Sequence, residues 1–447
     1  MKYQKYLDFV NKHKQEIYEA EDFIWKHPET GYNEWETSHY LENVFEKAGY
    51  VLNKAGNIPG FYTDIDTGKP GPKVMILAEL DALAVPNHFA AVKGNAHACG
   101  HCAQCAAMVG IALALKEPGA LDGLSGSIRL VLVPAEEGIQ LEERNKLRKK
   151  GIIHFLGGKD EFLYRGYFDG VDMAYMFHTG TNTATLLDLH AGCNGCLMKD
   201  VTYYGVGAHA GSCPDQGVNA LYAATLGLNA INALRETFKE ENHIRVHPII
   251  TNGGEAVSII PSVAKISTFI RGRSLKTIQL TNKKVNRALA SGALAMGATM
   301  MVNDYPGFAP LNNSEKLREV TVDVMSELVG REKIRLTNNW GNGSTDMGNL
   351  SCIMPVVHPY IAGAKGTSHG VDFHIADVDK ACVLSAQGQL SILSALLSDD
   401  AKLAKEVVSS YTPLYASKEE YFKDWSSYIK EEQLLEYDDN IVKIKLD

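Results

Sequence analysis

Sulfur and nitrogen donors lie close together near residue 100. The stretch reads His97-Ala98-Cys99-Gly100-His101-Cys102 and follows an acidic cluster, Glu79-Leu80-Asp81. A sharp turn at Gly100 would let Cys99 and His101 face one point. Thiolate and imidazole are both good ligands for borderline transition metals. The stretch therefore predicts a metal site, with simple packing at a helix start as the alternative, because free cysteine is a frequent core residue.

Two adjacent carboxylates, Glu136 and Glu137, directly follow the apolar run 128–133. Adjacent acids repel each other, and a metal would explain the pair, since one carboxylate can bind it while the other takes a proton from bound water. An exposed surface pair is the alternative, which the apolar run before them disfavours. His178 follows a further apolar run, 171–177, and His369 lies in a glycine-containing loop. One histidine alone is more often structural, but together these positions favour a metal centre.

The segments that would position these groups have the sequence pattern of an α/β layer structure. The runs 74–78 and 128–133 are short and apolar and are preceded by glycine, which predicts buried parallel strands. Residues 103–115 have helical spacing between them, and 171–177 is the next expected strand. Two helices are expected within 17–48, around a break at 27–31. We therefore predict a catalytic domain with a mixed sheet flanked by helices.

Residues 193–305 differ in character from the rest of the chain. They contain an alternating strand at 198–206, a helix at 219–238, strands near 244–251 and 264–270, and a helix at 278–294. This order predicts an inserted α+β sandwich. The catalytic domain would then comprise residues 1–192 and 306–447. The segment after Leu397 carries no recognisable chemistry.

The composition excludes several classes of protein. The chain has 447 residues and a net charge of -9 without a basic block, so no nucleic-acid partner is expected. The first 14 residues carry too many charges for a signal peptide, and no apolar run of about 20 residues suggests a membrane span. We expect a cytoplasmic protein, whose eight cysteines are thiols or metal ligands rather than disulfides.

Two cysteine patterns allow other interpretations. Cys99, Cys102 and Cys105 fit a C-x2-C-x2-C spacing, which occurs in iron–sulfur proteins. Cys193 and Cys196 form a C-x2-C pair that is compatible with redox chemistry or half of a metal site. Packing in an alanine-rich helix and at a strand edge is the preferred interpretation for the thiols other than Cys99.

Several short motifs follow one another along nearly the whole chain, and their order and spacing are specific. In them the sequence resembles the M20 metallopeptidases, specifically the amidohydrolase branch with aminoacylase-like, hippurate-hydrolase-like and aminobenzoyl-glutamate-hydrolase-like enzymes. The motifs resemble most closely those of the aminobenzoyl-glutamate and dipeptide-cleaving subgroup. The motifs are His27-Pro28-Glu29-Thr30-Gly31, Glu79-Leu80-Asp81-Ala82-Leu83, His97-Ala98-Cys99-Gly100-His101, Pro134-Ala135-Glu136-Glu137-Gly138, Gly207-Ala208-His209-Ala210, Gly217-Val218-Asn219-Ala220-Leu221 and Gly343-Ser344-Thr345-Asp346-Met347-Gly348-Asn349.

The resemblance implies a centre of two divalent transition metal ions, zinc or manganese. Cys99 would bridge the ions. The remaining ligands would be His101, Glu137, His178 and His369. Glu136 would act as the general base and later as the acid. Asp81 would orient a ligand or the centre.

The resemblance also makes the insertion a lid and dimerisation domain. His209 would reach the active site of a neighbouring subunit and stabilise the developing oxyanion, and Arg271 would bind a substrate carboxylate. A surface-loop histidine and an exposed ion pair are the alternatives for these two residues. The implied partners are a small substrate and a second copy of the chain.

The expected activity is hydrolysis of the amide bond in a small N-acyl or N-aroyl amino acid or a related dipeptide. An exopeptidase of ordinary dipeptides is the alternative within enzymes, because fold and metal centre are shared. A catalytically inert metal-binding or scaffold protein is the alternative outside them. Glu136 argues against an inert protein, since a binding site has no use for a base.

The chain departs from the family pattern at two places. Related sequences carry Asp or Asn after the motif histidine and often His two residues later, where this chain has Cys102 and Gln104. These positions are not ligands in the family scheme, so their effect falls on local hydrogen bonding. The lid motif Asn-x-Ile-Pro reads Ser258-Ile259-Ile260-Pro261, which alters an expected substrate contact.

Overall fold

The computed structural model of the protein describes residues 3–438 and 441–445. The chain divides into two compact units. Unit 1 comprises Met1–Gly192, Asn312–Trp340 and Asn349–Lys418. Unit 2 comprises Cys193–Leu311, Gly341–Gly348 and Glu419–Asp447.

The α-helices of the described residues are α1 (Gln4–Lys12), α2 (Lys14–Lys26), α3 (Trp35–Lys47), α4 (His101–Leu115), α5 (Leu141–Lys149), α6 (Gly158–Tyr164), α7 (Ala220–Leu234), α8 (Leu275–Met296), α9 (Glu315–Val329), α10 (Met347–Leu350), α11 (Ser385–Ser410) and α12 (Lys418–Ser426). A π-helical turn, Asp379–Leu384, leads directly into α11.

The strands are β1 (Asn53–Lys54), β2 (Phe61–Asp66), β3 (Lys73–Glu79), β4 (Leu83–Ala84), β5 (Asn95–Ala96), β6 (Ser127–Val133), β7 (Met173–Tyr175), β8 (His178–Gly180), β9 (Leu187–Leu189), β10 (Gly192–Cys193), β11 (Gly195–Tyr204), β12 (Arg245–Val246), β13 (Ile249–Asn252), β14 (Val263–Gly272), β15 (Thr299–Phe308), β16 (Leu311–Asn312), β17 (Ile334–Leu336), β18 (Trp340–Gly341), β19 (Val356–Val357), β20 (Tyr360–Ala362), β21 (Ala364–Lys365), β22 (His374–Ile375), β23 (Lys430–Gln433), β24 (Leu435–Asp438) and β25 (Ile441–Ile444).

The central sheet of unit 1 has the strand order β1-β2-β6-β3-β7-β19. Strands β3, β6, β7 and β19 run parallel, and β1 and β2 are antiparallel. The pairing of β3 with β6 runs from Lys73 opposite Ser127 to Glu79 opposite Val133, so both carboxyl ends meet at one edge. The predicted α/β class, its parallel strand pair and the mixed sheet flanked by helices are confirmed.

Helix α4 is the buried helix of unit 1. It packs against α2 and α11 and against β3, and its residues are apolar on every side, as in a helix that meets other elements all round. The predicted helix 103–115 begins earlier, at His101, because Gly100 takes a left-handed φ of 95° and ends the preceding loop there.

His178 does not end the expected strand 171–177. Strand β7 covers only Met173–Tyr175, and His178 is the first residue of β8 in a second sheet, with the order β17-β9-β20-β8. The difference arises because the apolar run continues past the pairing with β3, which ends at Tyr175. His178 therefore lies at the start of a strand that pairs in parallel with β20.

Unit 2 is built on a sheet with the order β12-β14-β11-β15-β23, in which β13 also pairs with β14. Helices α7 and α8 pack on each other and on strands of this sheet. The strand expected near 244–251 is divided into β12 and β13. Pro248 lies between the two and has no N–H for a ladder hydrogen bond, which explains the interruption.

The bounds of unit 2 differ from the predicted insertion, 193–305. Strand β15 runs through Pro306 and Gly307 to Phe308, and an irregularity in its register with β11, between Cys196 and Leu197, accommodates them. The Pro-Gly pair is therefore part of a strand rather than a domain boundary. Residues 341–348 and 419–447, predicted as catalytic domain, also belong to unit 2. Four residues of the latter, Lys430–Gln433, form β23 and pair with β15.

One helical stretch in the described residues, Asp379–Ser410, is long and apolar enough to cross a membrane. Most of this stretch is buried within the protein. Its apolar character is that expected of a core helix.

Candidate metal centre

Unit 1 brings together the five predicted metal ligands around Cys99. Donor atoms of Cys99, His101 and His178 all lie within 4.8 Å of one another. Donor atoms of Cys99, Glu137 and His369 form a second such group. Because the thiol belongs to both groups, the geometry suits two ions that share one sulfur ligand.

The His101 ring is oriented by Asp81. Nδ1 of His101 lies 2.9 Å from the Asp81 carbonyl oxygen and 3.2 Å from its Oδ1. Both partners accept, so Nδ1 carries the proton and Nε2 keeps its lone pair for a metal. Nε2 is buried and lies 3.1 Å from Oε2 of Glu79, without the geometry of a hydrogen bond. A buried nitrogen of this kind fits a metal ligand.

His178 is presented in the same way. Its Nδ1 lies 2.9 Å from the carbonyl oxygen of Thr179, and its Nε2 lies 3.3 Å from Sγ of Cys99. Burial lowers the pKa of His178 to about 4. The ring is therefore neutral at physiological pH, which is the form that binds metals.

Glu137 and His369 form the other side of the centre. The Glu137 backbone N–H donates to Oδ2 of Asp81 at 2.9 Å, and Oε1 of Glu137 lies 3.5 Å from Nε2 of His369. That Oε1 is buried without a hydrogen-bond partner. His369 is half exposed and has a left-handed φ of 62°, and its N–H donates to the carbonyl of Ala98 at 2.8 Å. This bond ties the His369 loop to the segment that carries Cys99.

The Cys99 thiol is buried, and its ionisation depends on the centre being filled. Burial, followed by the Glu137 charge, raises the pKa of Cys99 well above its usual value. A thiolate is the form that binds metal, so metal binding and loss of the thiol proton are coupled.

Glu136 lies at the end of β6, beyond a strained turn. Ala135 has a φ of 58°, which residues with a Cβ rarely adopt, and its N–H donates to Oε1 of Glu34 at 2.8 Å. Glu136 is 7% exposed, and a carboxylate oxygen lies within 4.8 Å of donor atoms of Glu79 and His101. The turn thus directs a buried carboxylate towards the donor cluster.

Three buried residues beside the centre were not predicted as site residues. Oε2 of Glu79 lies 3.1 Å from Nε2 of His101, and Oε1 lies 2.5 Å from Nζ of Lys159. Gln104 donates from Nε2 to Oε2 of Glu79 at 2.9 Å. Glu79 could have been identified from its place at a strand end, but Lys159 lies in a separate helix without a motif that marks it.

The other cysteines do not join Cys99. Cys105 donates from Sγ to the Glu79 carbonyl at 3.0 Å, and Sγ of Cys102 lies 4.0 Å from Oε1 of Glu21. Within the described residues, no metal-capable donor group contains Cys102, Cys105, Cys193 or Cys196. All eight cysteines lie in the described part of the chain and are thiols rather than disulfides.

His209 and Arg271 lie on unit 2. His209 is exposed, and its Nδ1 accepts from the N–H groups of Gly211 and Ser212 at 3.1 and 3.0 Å. These bonds fix the proton on Nε2, which can then donate a hydrogen bond.

Arg271, on β14, is held by two side chains of unit 2. Its Nε lies 3.2 Å from Nε2 of His247, and its Nη1 donates to Oγ of Ser344 at 3.2 Å. Ser344 belongs to the motif 343–349 of the sequence analysis.

Comparisons with known proteins agree with these features. The sequence profile of peptidase family M20/M25/M40 matches residues 61–387. The Xaa-Arg dipeptidase of Homo sapiens is 31% identical over 377 residues, and the match covers 77% of this chain and 76% of that protein. A p-aminobenzoyl-glutamate hydrolase polypeptide from Escherichia coli (strain K12) is 30% identical over 308 residues, and the match covers 65% of this chain and 58% of that protein.

A solved structure from Bacillus subtilis, described as a dinuclear metal-binding peptidase of the M20 family, has a TM-score of 0.63. It is 18% identical, and the match covers 87% of this chain and 99% of that one. At this identity the likeness shows the fold alone.

Proposed function

Because the chain belongs to peptidase family M20/M25/M40, we propose that the Cys99 cluster is the dinuclear centre at which it cleaves amide bonds. The chain is a metal-dependent hydrolase of small N-acyl amino acids or dipeptides. The sharing of Cys99 between two donor groups is the observation that carries the assignment of the centre.

The donor chemistry fits two divalent ions, and we propose zinc or manganese. Cys99, His101 and His178 would hold one ion, and Cys99, Glu137 and His369 the other. Thiolate and imidazole suit zinc, and the carboxylate also suits manganese. When bound, the ions would polarise the substrate carbonyl and make an attacking water more acidic.

Glu136 is the proposed base. It would take a proton from the attacking water and return that proton to the amide nitrogen as the bond breaks. Its low exposure supports this task, because a buried carboxylate that faces the donor cluster is shielded from bulk water. An inert binding protein would need Glu137 but not this second carboxylate.

We further propose that unit 2 supplies the substrate contacts. Arg271 would bind a free carboxylate of the substrate, and its contacts with His247 and Ser344 orient the guanidinium plane for a bidentate pair. His209 would donate from Nε2 to the developing oxyanion, for which its fixed tautomer is suited.

Two substrate classes follow from this proposal. One is an N-acyl or N-aroyl amino acid, and the other is an ordinary dipeptide. The longer match with a dipeptidase favours testing the second class as fully as the first. In both classes a free carboxylate lies next to the scissile amide. Arg271 would bind this carboxylate.

A hydrolysis screen tests the function. Protein stripped with a chelator and reloaded with zinc or manganese would be offered arginine-terminated dipeptides, N-benzoyl amino acids and p-aminobenzoyl-glutamate, each beside its C-terminal amide. We expect cleavage of free acids, loss of cleavage on chelation and poor cleavage of the amides. Turnover that persists in metal-free protein would contradict the proposal, and equal turnover of acids and amides would remove the carboxylate contact.

We also propose that the chain forms a homodimer through unit 2. Strand β13 is exposed along its length and carries Ile249 and Ile250, and α7 exposes Tyr222 and Leu226. The opposite edge of the same sheet ends in β23, whose Lys-Glu-Glu-Gln sequence is typical of an edge protected against pairing. The apolar edge is therefore the side that suits an isologous contact.

Light scattering would test the dimer. Ile249→Lys should reduce the mass to that of one chain, because a lysine would be desolvated in the contact. Leu280→Lys, at a similarly exposed leucine of α8, is the matched control and should leave the mass unchanged. A wild-type chain that is already monomeric would overturn the dimer and leave the hydrolase intact.

The proposed location is the cytoplasm. The eight thiols fit a reducing compartment, in which thiols persist. Immunofluorescence or fractionation of the tagged full chain would test this location.

A further inference from the structure

A lysine is completely buried beside the candidate metal centre. Lys159 has 0% side-chain exposure, and its Nζ lies 2.5 Å from Oε1 of Glu79, which is 1% exposed. Burying an ammonium group is costly unless a close charge compensates for it. The pair is therefore a built feature of unit 1, although neither residue belongs to the proposed ligand set.

Lys159 is buried because the backbone at Gly158, directly before it, lies very close to the backbone of residues 134–135. Helix α6 begins at Gly158, whose N–H donates to the carbonyl of Ala135 at 3.1 Å. A Cβ at Gly158 would lie 1.6 Å from the carbonyl oxygen of Pro134. Only glycine permits this approach, and the next residue is the lysine.

The second oxygen of Glu79 faces the centre itself. Oε2 lies 3.1 Å from Nε2 of His101, the ring nitrogen left for a metal by the contacts of Nδ1 with Asp81. Gln104 donates to the same Oε2 at 2.9 Å and accepts from the Glu79 backbone N–H at 3.2 Å. Gln104 is one of the two departures from the family pattern, and its role here is to fix Glu79.

We propose that Lys159 is a positioning residue of the metal centre, which acts through Glu79 by fixing its carboxylate and cancelling its charge. This proposal rests on the proposed function, because it needs ions at the Cys99 cluster. The Lys159–Glu79 pair adds no net charge beside donors that already include Cys99, Glu136 and Glu137. Removal of either member leaves one unit charge next to the ions.

The two single variants should therefore move zinc affinity in opposite directions. Glu79→Gln leaves the ammonium group near the ions and should weaken zinc binding about tenfold or more. Lys159→Met leaves the carboxylate charge and should strengthen zinc binding by a similar factor. The double variant removes both charges and should return to within about threefold of the wild type. The measurement is a zinc titration of the full chain in chelator buffers, with metal content as a second readout.

Lys199 offers a matched control. It is also fully buried and contacts a buried carboxylate, Asp304, but both residues lie in unit 2. Lys199→Met removes a comparable ion pair and should change stability without changing zinc affinity. This control separates general loss of stability from the charge effect.

Each outcome decides the proposal. If Lys159→Met weakens zinc binding or leaves it unchanged, Lys159 has only a structural role. If Lys159→Met does not fold, the comparison of Glu79→Gln with the double variant replaces it. The double variant should then bind zinc about tenfold more tightly than Glu79→Gln alone. Equal zinc affinity of these two variants would overturn the proposal. A wild-type chain that binds neither zinc nor manganese would instead refute the proposed function.

Discussion

The Asp81 carboxylate lies 3.2 Å from Nδ1 of His101. Its other oxygen accepts the backbone N–H of Glu137 at 2.9 Å, so one side chain joins the segments that carry ligands of both donor groups. The ring orientation and the position of the Glu137 backbone thus depend on a residue that need not touch a metal itself.

Asp81→Asn should weaken metal binding by about 10–100-fold. Asparagine has the same shape but only one acceptor oxygen, so it cannot serve both His101 and Glu137. The measurement is a zinc titration in chelator buffers. Asp66→Asn, at an exposed position of β2, is the control and should bind zinc like the wild type. Unchanged affinity in the Asp81 variant would mean that the ligands hold their positions without it.

Cys99→Ser should remove both ions, because the thiol belongs to both donor groups. His369→Asn should remove only one, since His369 belongs to a single group. Metal analysis of purified variants distinguishes these outcomes. Cys213→Ser, at a partly exposed thiol outside the centre, should retain the wild-type content. Two ions per chain in Cys99→Ser would exclude the shared-ligand arrangement.

Glu136→Gln should lower kcat by about 10²–10⁴-fold while leaving metal content unchanged. Glutamine keeps the shape of the side chain but cannot take the proton from water. Glu137→Gln is the informative comparison, because loss of a ligand should reduce metal content together with turnover. Steady-state kinetics and metal analysis on the same samples give both readouts. Turnover near the wild-type value in Glu136→Gln would assign the base to another residue.

Glu21 on α2 makes stability dependent on pH. Burial, with a smaller effect of Asp22, raises the pKa of Glu21 from 4.5 to about 7. The folded state then binds a proton more tightly than the unfolded state, so stability falls as the pH rises from about 4.5 through 7. The cost approaches roughly 3 kcal/mol above pH 7.

Glu21→Gln should remove this dependence. The variant should unfold with a higher free energy than the wild type, and this difference should be roughly 2 kcal/mol larger at pH 8 than at pH 5. Urea unfolding of metal-free protein at the two pH values measures it. Glu19→Gln, at an exposed position of the same helix, should show no such growth. A gain that is equal at both pH values would mean that Glu21 is not protonated in the folded state.

The parts of the fold that could be predicted from the sequence are those in which the local residue pattern matches the environment that the folded protein provides. Strands β3 and β6 are mainly apolar because both faces of the parallel sheet are covered, and the turn at Gly100 follows from the residue itself. The five predicted ligands, whose donor atoms form the two groups around Cys99, each stand at the end or start of an element or in a loop.

The remaining features depend on contacts that no local pattern reports. Lys159 looks like an ordinary helix residue, and its burial follows only from the approach of Gly158 to Pro134. Strand β23 has four polar residues, and it becomes a strand because β15 offers a free edge. The Pro306-Gly307 pair stands where the sequence predicted the end of the insertion, but the pairing of β15 with β11 continues through it.

The cross-subunit role of His209 is tested by mixing two inactive chains. If His209 acts on the partner's substrate, a heterodimer of Glu136→Gln and His209→Ala chains has one site with both defects and one site with neither. Random pairing of equal amounts should then recover about one quarter of the wild-type specific activity. The readout is hydrolysis after denaturation and refolding of the mixed chains, with each variant refolded alone as the control. If His209 acts within its own chain, every site in the heterodimer keeps one defect, and heterodimers verified by mass would stay inactive.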